Sequence, residues 1–206
     1  MASTLTGEPV AGLDQQCRTL GEQRVTTGPD QWAAVGYGGG MHVIAEVSAA
    51  LTSLDGIVDP GEAVDELAHA LQAAGLAQAA GADDELVVAT LLHDVARSPL
   101  LPEGPHAEIG ATWLAPRLGE RVAWLVGAHV HAKRWLAATE PGYDLSPVST
   151  ASLARQGGAS VDGLPTGHPW WPDAVRLRRF DDAAKVPGAA APTVAQVMEV
   201  VARVAA

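Results

Sequence analysis

The sequence predicts an all-α fold, one helical bundle, on three observations. Apolar residues return at helical spacing in segment after segment, glycine and proline punctuate the chain between those segments, and nothing alternates strictly enough to make a strand. With 206 residues and 48% hydrophobic content, the chain can bury one sizeable core, which fits a single domain with room for a tail.

Residues 1–40 show no sustained apolar period and contain Gly28, Pro29 and the run Gly38, Gly39, Gly40. They read as a flexible N-terminal extension ahead of a domain at 41–206, with Met41 a candidate initiator. From 41 to 54, Val43, Ile44, Val47, Ala50, Leu51 and Leu54 recur at helical spacing. Asp59-Pro60 is the cap-then-proline signal that opens a helix, here over 61–80, with Val64, Leu67, Leu71 and Leu76 on its core face. Gly81 ends it, Asp83 or Asp84 caps the next, and 86–96 is so continuously apolar that it predicts a central helix. Pro99, Pro102, Gly104 and Pro105 make a loop, followed by helices over 106–118 and 120–138. Residues 139–172 are loop, with a short helix over 149–155. Asp173 caps a helix to about 185, and Pro192 precedes an amphipathic helix over 194–204.

The formal charge of −11 and the lack of a basic stripe argue against a nucleic-acid backbone as partner. The single cysteine, Cys17, rules out a disulfide framework and a cysteine zinc set, so any metal must rest on histidine and carboxylate. There is no apolar run of roughly 18 residues and no basic-then-apolar start, so the expectation is a cytoplasmic protein with no membrane partner.

His93-Asp94 closes the apolar run 86–96, and ionisable groups there are costly unless paired or metal-bound. The dipeptide alone is as readily a hydrogen-bonded helix end as a ligand pair. His69, His106 and His129 each fall on a further predicted helix among apolar neighbours, and helical bundles build dinuclear sites from such inward-facing side chains. Imidazole with carboxylate suits iron, manganese or zinc, and a carboxylate such as Asp94 can bridge two ions. Each of these histidines alone could equally be a core or surface residue.

The wording around these residues is more specific. It runs through Gly61-Glu62-Ala63-Val64, Leu67-Ala68-His69-Ala70-Leu71-Gln72, Leu91-Leu92-His93-Asp94 and His106-Ala107-Glu108-Ile109-Gly110. Further on come His129-Val130-His131-Ala132-Lys133-Arg134, Leu145-Ser146-Pro147-Val148-Ser149, Gln156-Gly157-Gly158 and Arg178-Arg179-Phe180-Asp181-Asp182-Ala183-Ala184-Lys185. Over about residues 59–188 the chain resembles the HD-domain mixed-valent di-iron oxygenases of organophosphonate breakdown, which are distantly similar to myo-inositol oxygenase. The resemblance implies an HD-domain helical bundle holding two irons, Fe(II) and Fe(III), that acts with O2 on a small anionic organophosphonate. It implies His93 and a bridging Asp94 at the centre, His69 and Asp181 completing one iron, and His106 and His129 completing the other. Asp181 is preferred to Asp182 because it stands four residues before Lys185, as in the family's pattern.

The chain has 11 Arg and only two Lys, Lys133 and Lys185, placed four residues after His129 and four after Asp181. That spacing puts each on a candidate ligand's helix face, where an ammonium suits a phosphonate oxygen, although Lys185 could instead pair with Asp181 or Asp182. The resemblance adds Glu62, Ser149 and Gln156 as substrate-contacting residues. Glu62 is equally an ordinary first-turn glutamate, and the other two could be turn residues. His42, His131 and His168 default to structure or solvent, Trp113, Trp124 and Trp135 to the core, and Trp170-Trp171 to a loop that could cover a cleft. Two departures bear on the substrate: Asp59 stands where family members often have an iron-binding tyrosine that acts as a gate, and Arg97 where a second histidine is common.

The leading expectation is α-hydroxylation of a phosphonate or oxidative C–P cleavage. A phosphohydrolase of the same fold using manganese or zinc, and a regulatory protein that has lost catalysis, are the alternatives.

Overall fold

A computed structural model of the protein describes residues 39–205, so the expected N-terminal extension lies outside the described residues apart from Gly39 and Gly40. The described chain is all helical, without a strand. The helices are α1 (Gly39–Thr52), α2 (Glu66–Ala79), α3 (Asp84–Leu91), α4 (His106–Thr139), α5 (Pro147–Arg155), α6 (Trp171–Ala183) and α7 (Val194–Val204), with a 3-10 turn at Val95–Arg97. α3 is the hub, packed against α2, α4, α6 and α7. Its Leu86 and Leu91 are fully buried, as are Leu51 of α1, Leu114, Leu125 and Leu136 of α4 and Leu177 of α6. Each such side chain stabilises the bundle by about 1.5–3 kcal/mol through water exclusion. No described helix is long and apolar enough to cross a membrane.

Four expectations are corrected. The helix expected from 61 begins at Glu66, and its N-cap is Asp65, whose carboxylate accepts from the Ala68 N–H. Residues 59–62 form a turn instead: Glu62 N–H donates to Asp59 O, and Gly61 has φ +98°, which no right-handed helix accommodates. The start shifts the inward face of α2 to His69, Ala70, Ala73, Ala74 and Ala77, leaving Leu67 and Leu71 half-buried and Leu76 38% exposed. Small inward residues let α2 lie close to α3.

The apolar run 86–96 is a central element, but its helix stops at Leu91. The His93 ring takes up the carbonyl of Thr90, one of the free carbonyls of the last turn, and the chain then re-coils at Val95–Arg97. His93-Asp94 therefore sits on a bend. Asp173 lies in the first turn of α6 and binds Arg121 and Arg176, while Trp170 holds the capping position. Trp171 is no loop cover; it is a buried first residue of α6.

The two helices expected on either side of residue 119 are present as halves of α4, broken at Gly119 (φ 87°, ψ 172°). The halves fold back on each other at two glycines. A side chain on Gly110 would meet Val126 at 3.1 Å, and one on Gly127 would meet Ala111 at 3.3 Å. The short helix 149–155 is α5, which starts at Pro147 with Ser146 as its cap. The last helix matches α7, where Thr193 and Gln196 form a reciprocal cap.

Candidate metal centre

Four parts of the bundle aim nitrogen and oxygen atoms at one place. α2 supplies His69, the bend after α3 supplies His93 and Asp94, the two halves of α4 supply His106 and His129, and α6 supplies Asp181. On one side His69 Nε2 lies 3.2 Å from His93 Nε2 and 3.2 Å from Asp181 Oδ1, and His93 Nε2 lies 3.6 Å from Asp181 Oδ2. On the other, His106 Nε2 and His129 Nε2 are 3.2 Å apart. Asp94 stands between them, Oδ2 at 3.7 Å from His93 and Oδ1 at 3.2 Å from His106 and 3.7 Å from His129.

These atoms fit a pair of cations better than they fit each other. A carbonyl oxygen only accepts, so the contacts of His69 Nδ1 with Ala184 O (2.8 Å), His93 Nδ1 with Thr90 O (2.8 Å) and His129 Nδ1 with Val126 O (2.6 Å) place a proton on each Nδ1. In the neutral rings Nε2 then carries a lone pair, and these lone pairs converge instead of finding donors. Asp94 Oδ1 is buried with no hydrogen-bond partner. Positive charge at each cluster would satisfy all of them.

Electrostatics follows the same division. Burial opposes ionisation of Asp94, but Arg97, His93, His106 and His129 outweigh it and hold the carboxyl well below the usual range. For Asp181 burial is likewise outweighed by Arg178 and His93. Burial works against a charged His93, yet Asp94 and Asp181 raise its pKa; that is the pull a cation would feel there. Burial, and then the neighbouring His106, pushes His129 well below the usual range, and burial lowers His106 too, so both favour the neutral ring.

A cavity of about 40 Å3 opens onto the centre, and the expected ligand, substrate-contacting and gate residues all line it except His93, which is fully buried. Lys133, 4% exposed, donates from Nζ to Ser152 Oγ at 2.8 Å, and burial, then Arg178, brings its pKa to about 8. Lys185 lies past the end of α6, so the helix-face spacing does not place it; it reaches the cavity from the irregular segment that follows. Its partner is neither Asp181 nor Asp182: Nζ donates to Glu62 at 2.7 Å and to Ser149 Oγ at 3.2 Å. Gln156 Oε1 is buried without a partner. Arg97 donates to Asp59 (2.6 Å) and Asp94 Oδ2 (3.0 Å) and lies 3.6 Å from Glu66. Burial, then the Asp94 charge, pushes the Glu66 carboxyl up to about 7.

Asp182 faces away from the histidines, bound to Arg178 and Tyr143, while Arg178 also grips Asp181. Of the other histidines, His42 pairs with Glu46 at 3.3 Å and His168 stacks on Trp124 at 3.9 Å. His131 lines an outer cleft beside Arg134. Sequence reasoning missed Glu66, Ser152, Arg178 and Tyr143. Glu66 and Arg178 carried a signal, each standing three residues before His69 or Asp181 on the same helix. Tyr143 lies in a proline- and glycine-rich stretch with no period to place it.

The HD domain family model matches residues 67–157, the stretch that carries all four clustered histidines. Two curated proteins are similar over most of their length. Hydroxymethylphosphonate dioxygenase of Gimesia maris is 38% identical over 64% of this chain and 73% of its own. The glycine-betaine-forming [1-hydroxy-2-(trimethylamino)ethyl]phosphonate dioxygenase of Leisingera caerulea is 36% identical over 61% of this chain and 71% of its own. Identity at that level, spread over nearly three quarters of a curated relative, makes this chain a member of the HD-domain oxygenase family that these two phosphonate dioxygenases represent.

Proposed function

We propose that this protein is a di-iron oxygenase that cleaves the C–P bond of a small α-hydroxyphosphonate with O2. The observation that carries the reading is the double cluster about Asp94, with one buried ammonium, Lys133, that has no carboxylate partner among the described residues. His69, His93 and Asp181 would hold one iron, His106 and His129 the other, and Asp94 would bridge. A mixed-valent iron pair supplies the one-electron chemistry on O2 that oxidation of the phosphorus-bearing carbon requires.

The remaining steps belong to the protein. Lys133 meets the phosphonate oxygens as a point charge, and the Lys185 and Ser149 pair offers further donors beside it. Gln156 Oε1, buried and unpartnered, is free to accept from the substrate hydroxyl. Cleavage is favoured over simple hydroxylation because both relatives are named for substrates that already carry a hydroxyl. For one of them the named product, glycine betaine, bears a carboxylate in place of the C–P bond.

The test is to load the purified protein with iron and follow O2 uptake and phosphate release with a panel of small phosphonates. A coupled Fe(II)/Fe(III) EPR signal with O2 consumed alongside phosphate supports the reading. Bound zinc or manganese with ester hydrolysis and no O2 uptake overturns it.

A further inference from the structure

The geometry points to the Arg97–Asp59 ion pair as the specificity determinant of this site: it selects a compact phosphonate with an uncharged tail and rejects one with a cationic arm. This rests on the phosphonate reading above and says which class of phosphonate fits. Both acids on the 59–62 turn that line the cavity are already engaged by the protein's own cations. Asp59 accepts from Arg97 at 2.6 Å, and Glu62 accepts from Lys185 at 2.7 Å and from the Ser146 hydroxyl at 3.0 Å. The Arg97 guanidinium is anchored on Asp94 Oδ2 at 3.0 Å, with Glu66 at 3.6 Å. A quaternary ammonium at this wall would therefore find Asp59 and Glu62 already engaged by Arg97 and Lys185, and would gain no ion pair to offset its lost hydration.

Space argues the same way. The cavity is small, about 40 Å3, and its wall at Asp59 and Arg97 is already filled by their ion pair. A phosphonate head with one hydroxylated carbon has six heavy atoms, and the arm ending in trimethylammonium adds five more. Of the two relatives' substrates the fit is to the smaller, hydroxymethylphosphonate. Arg97 and Asp59 both line the cavity, and through Arg97 the pair is tied to Asp94 at the centre.

The experiment measures equilibrium binding to the iron-loaded protein under argon, by calorimetry, for three probes. These are hydroxymethylphosphonate, [1-hydroxy-2-(trimethylamino)ethyl]phosphonate and the carboxylate-tailed phosphonoacetate. The native protein binds the first about tenfold or more tighter than the second, a gap of about 1.4 kcal/mol. Arg97→Gln frees Asp59 and shrinks that ratio about tenfold. Asp59→Asn frees one arm of Arg97 and moves selectivity the other way, tightening phosphonoacetate and weakening the trimethylammonium probe. General damage to the fold weakens all three together. If iron content shows that Arg97→Gln has lost metal, Asp59→Asn decides, since it leaves the Arg97–Asp94 contact in place. Equal binding of the first two probes by the native protein, or selectivity unmoved by the deciding variant, overturns the inference whether or not O2 is consumed. Selectivity that moves as stated without any O2 uptake supports it and overturns the oxygenase reading instead.

Discussion

Lys133 is held almost entirely out of water with one hydroxyl for company, and both its value and its cost come from that position. Burial lowers its pKa from 10.5 to about 8. The charged form binds a phosphonate, so affinity is full below about pH 8 and falls as pH rises through it; Lys133→Gln should remove that alkaline limb from a binding titration. Stability has the opposite sign. A base whose folded pKa lies below its unfolded value weakens the fold wherever it is charged, so the penalty is fully present below about 8 and is relieved between about 8 and 10.5. Lys133→Met is therefore expected to stabilise the protein at pH 7 by about 1–3 kcal/mol in denaturant unfolding while abolishing anion binding. The sequence marked this residue through its rarity, one of two lysines beside 11 arginines. It marked Lys185 equally, but could not say that Lys185 faces Glu62.

Helix α4 shows how an element sets the site. Its halves meet at Gly110 and Gly127, and that close approach brings His106 of the first turn to within 3.2 Å of His129. Gly110→Val puts a branched side chain where even a Cβ would stand 3.1 Å from Val126. Overpacking of this kind typically costs about 1–3 kcal/mol. The expected outcome is a lower melting temperature and loss of metal from the His106–His129 half, read as a fall from two metal ions per chain towards one. Unchanged stoichiometry would mean that the glycine contact does not position His106. The break near residue 119 was legible because glycine there interrupts an apolar period. The end of α3 at Leu91 was not, because the apolar run continues to Ala96 and the stop depends on where the His93 ring turns. The start of α2 was misplaced for a similar reason: Asp59-Pro60 and Asp65 both look like caps, and only Asp65 has its carboxylate over a free N–H.

Across the whole molecule, four converging elements end in lone pairs and carboxylates that have better partners in a cation than in one another. Metal binding should thus be folding energy for the bundle, worth about 4 kcal/mol when the free ion is 1,000 times its dissociation constant. Chelated protein is expected to melt at a lower temperature than protein refilled with iron in differential scanning calorimetry, and His93→Ala should erase the difference. A chelator-insensitive melting point would show that the cluster holds no stabilising ion. Taken by itself, the sequence determined the all-helical class and the order of the helices, and it singled out many of the residues that line the cavity, though not Glu66, Ser152 or Arg178. The class and order rest on local periods and on glycine and proline breaks, the clustered histidines on polar residues set in apolar surroundings, and Asp181, Glu62, Ser149 and Gln156 on the family resemblance. Tertiary structure alone decided which charges neutralise which: Lys185 with Glu62, 123 positions away, and Arg97 with Asp59, 38 away. No local pattern records a contact between segments so far apart, because it exists only once α2, α4 and α6 have packed around α3 and brought their ends to one place.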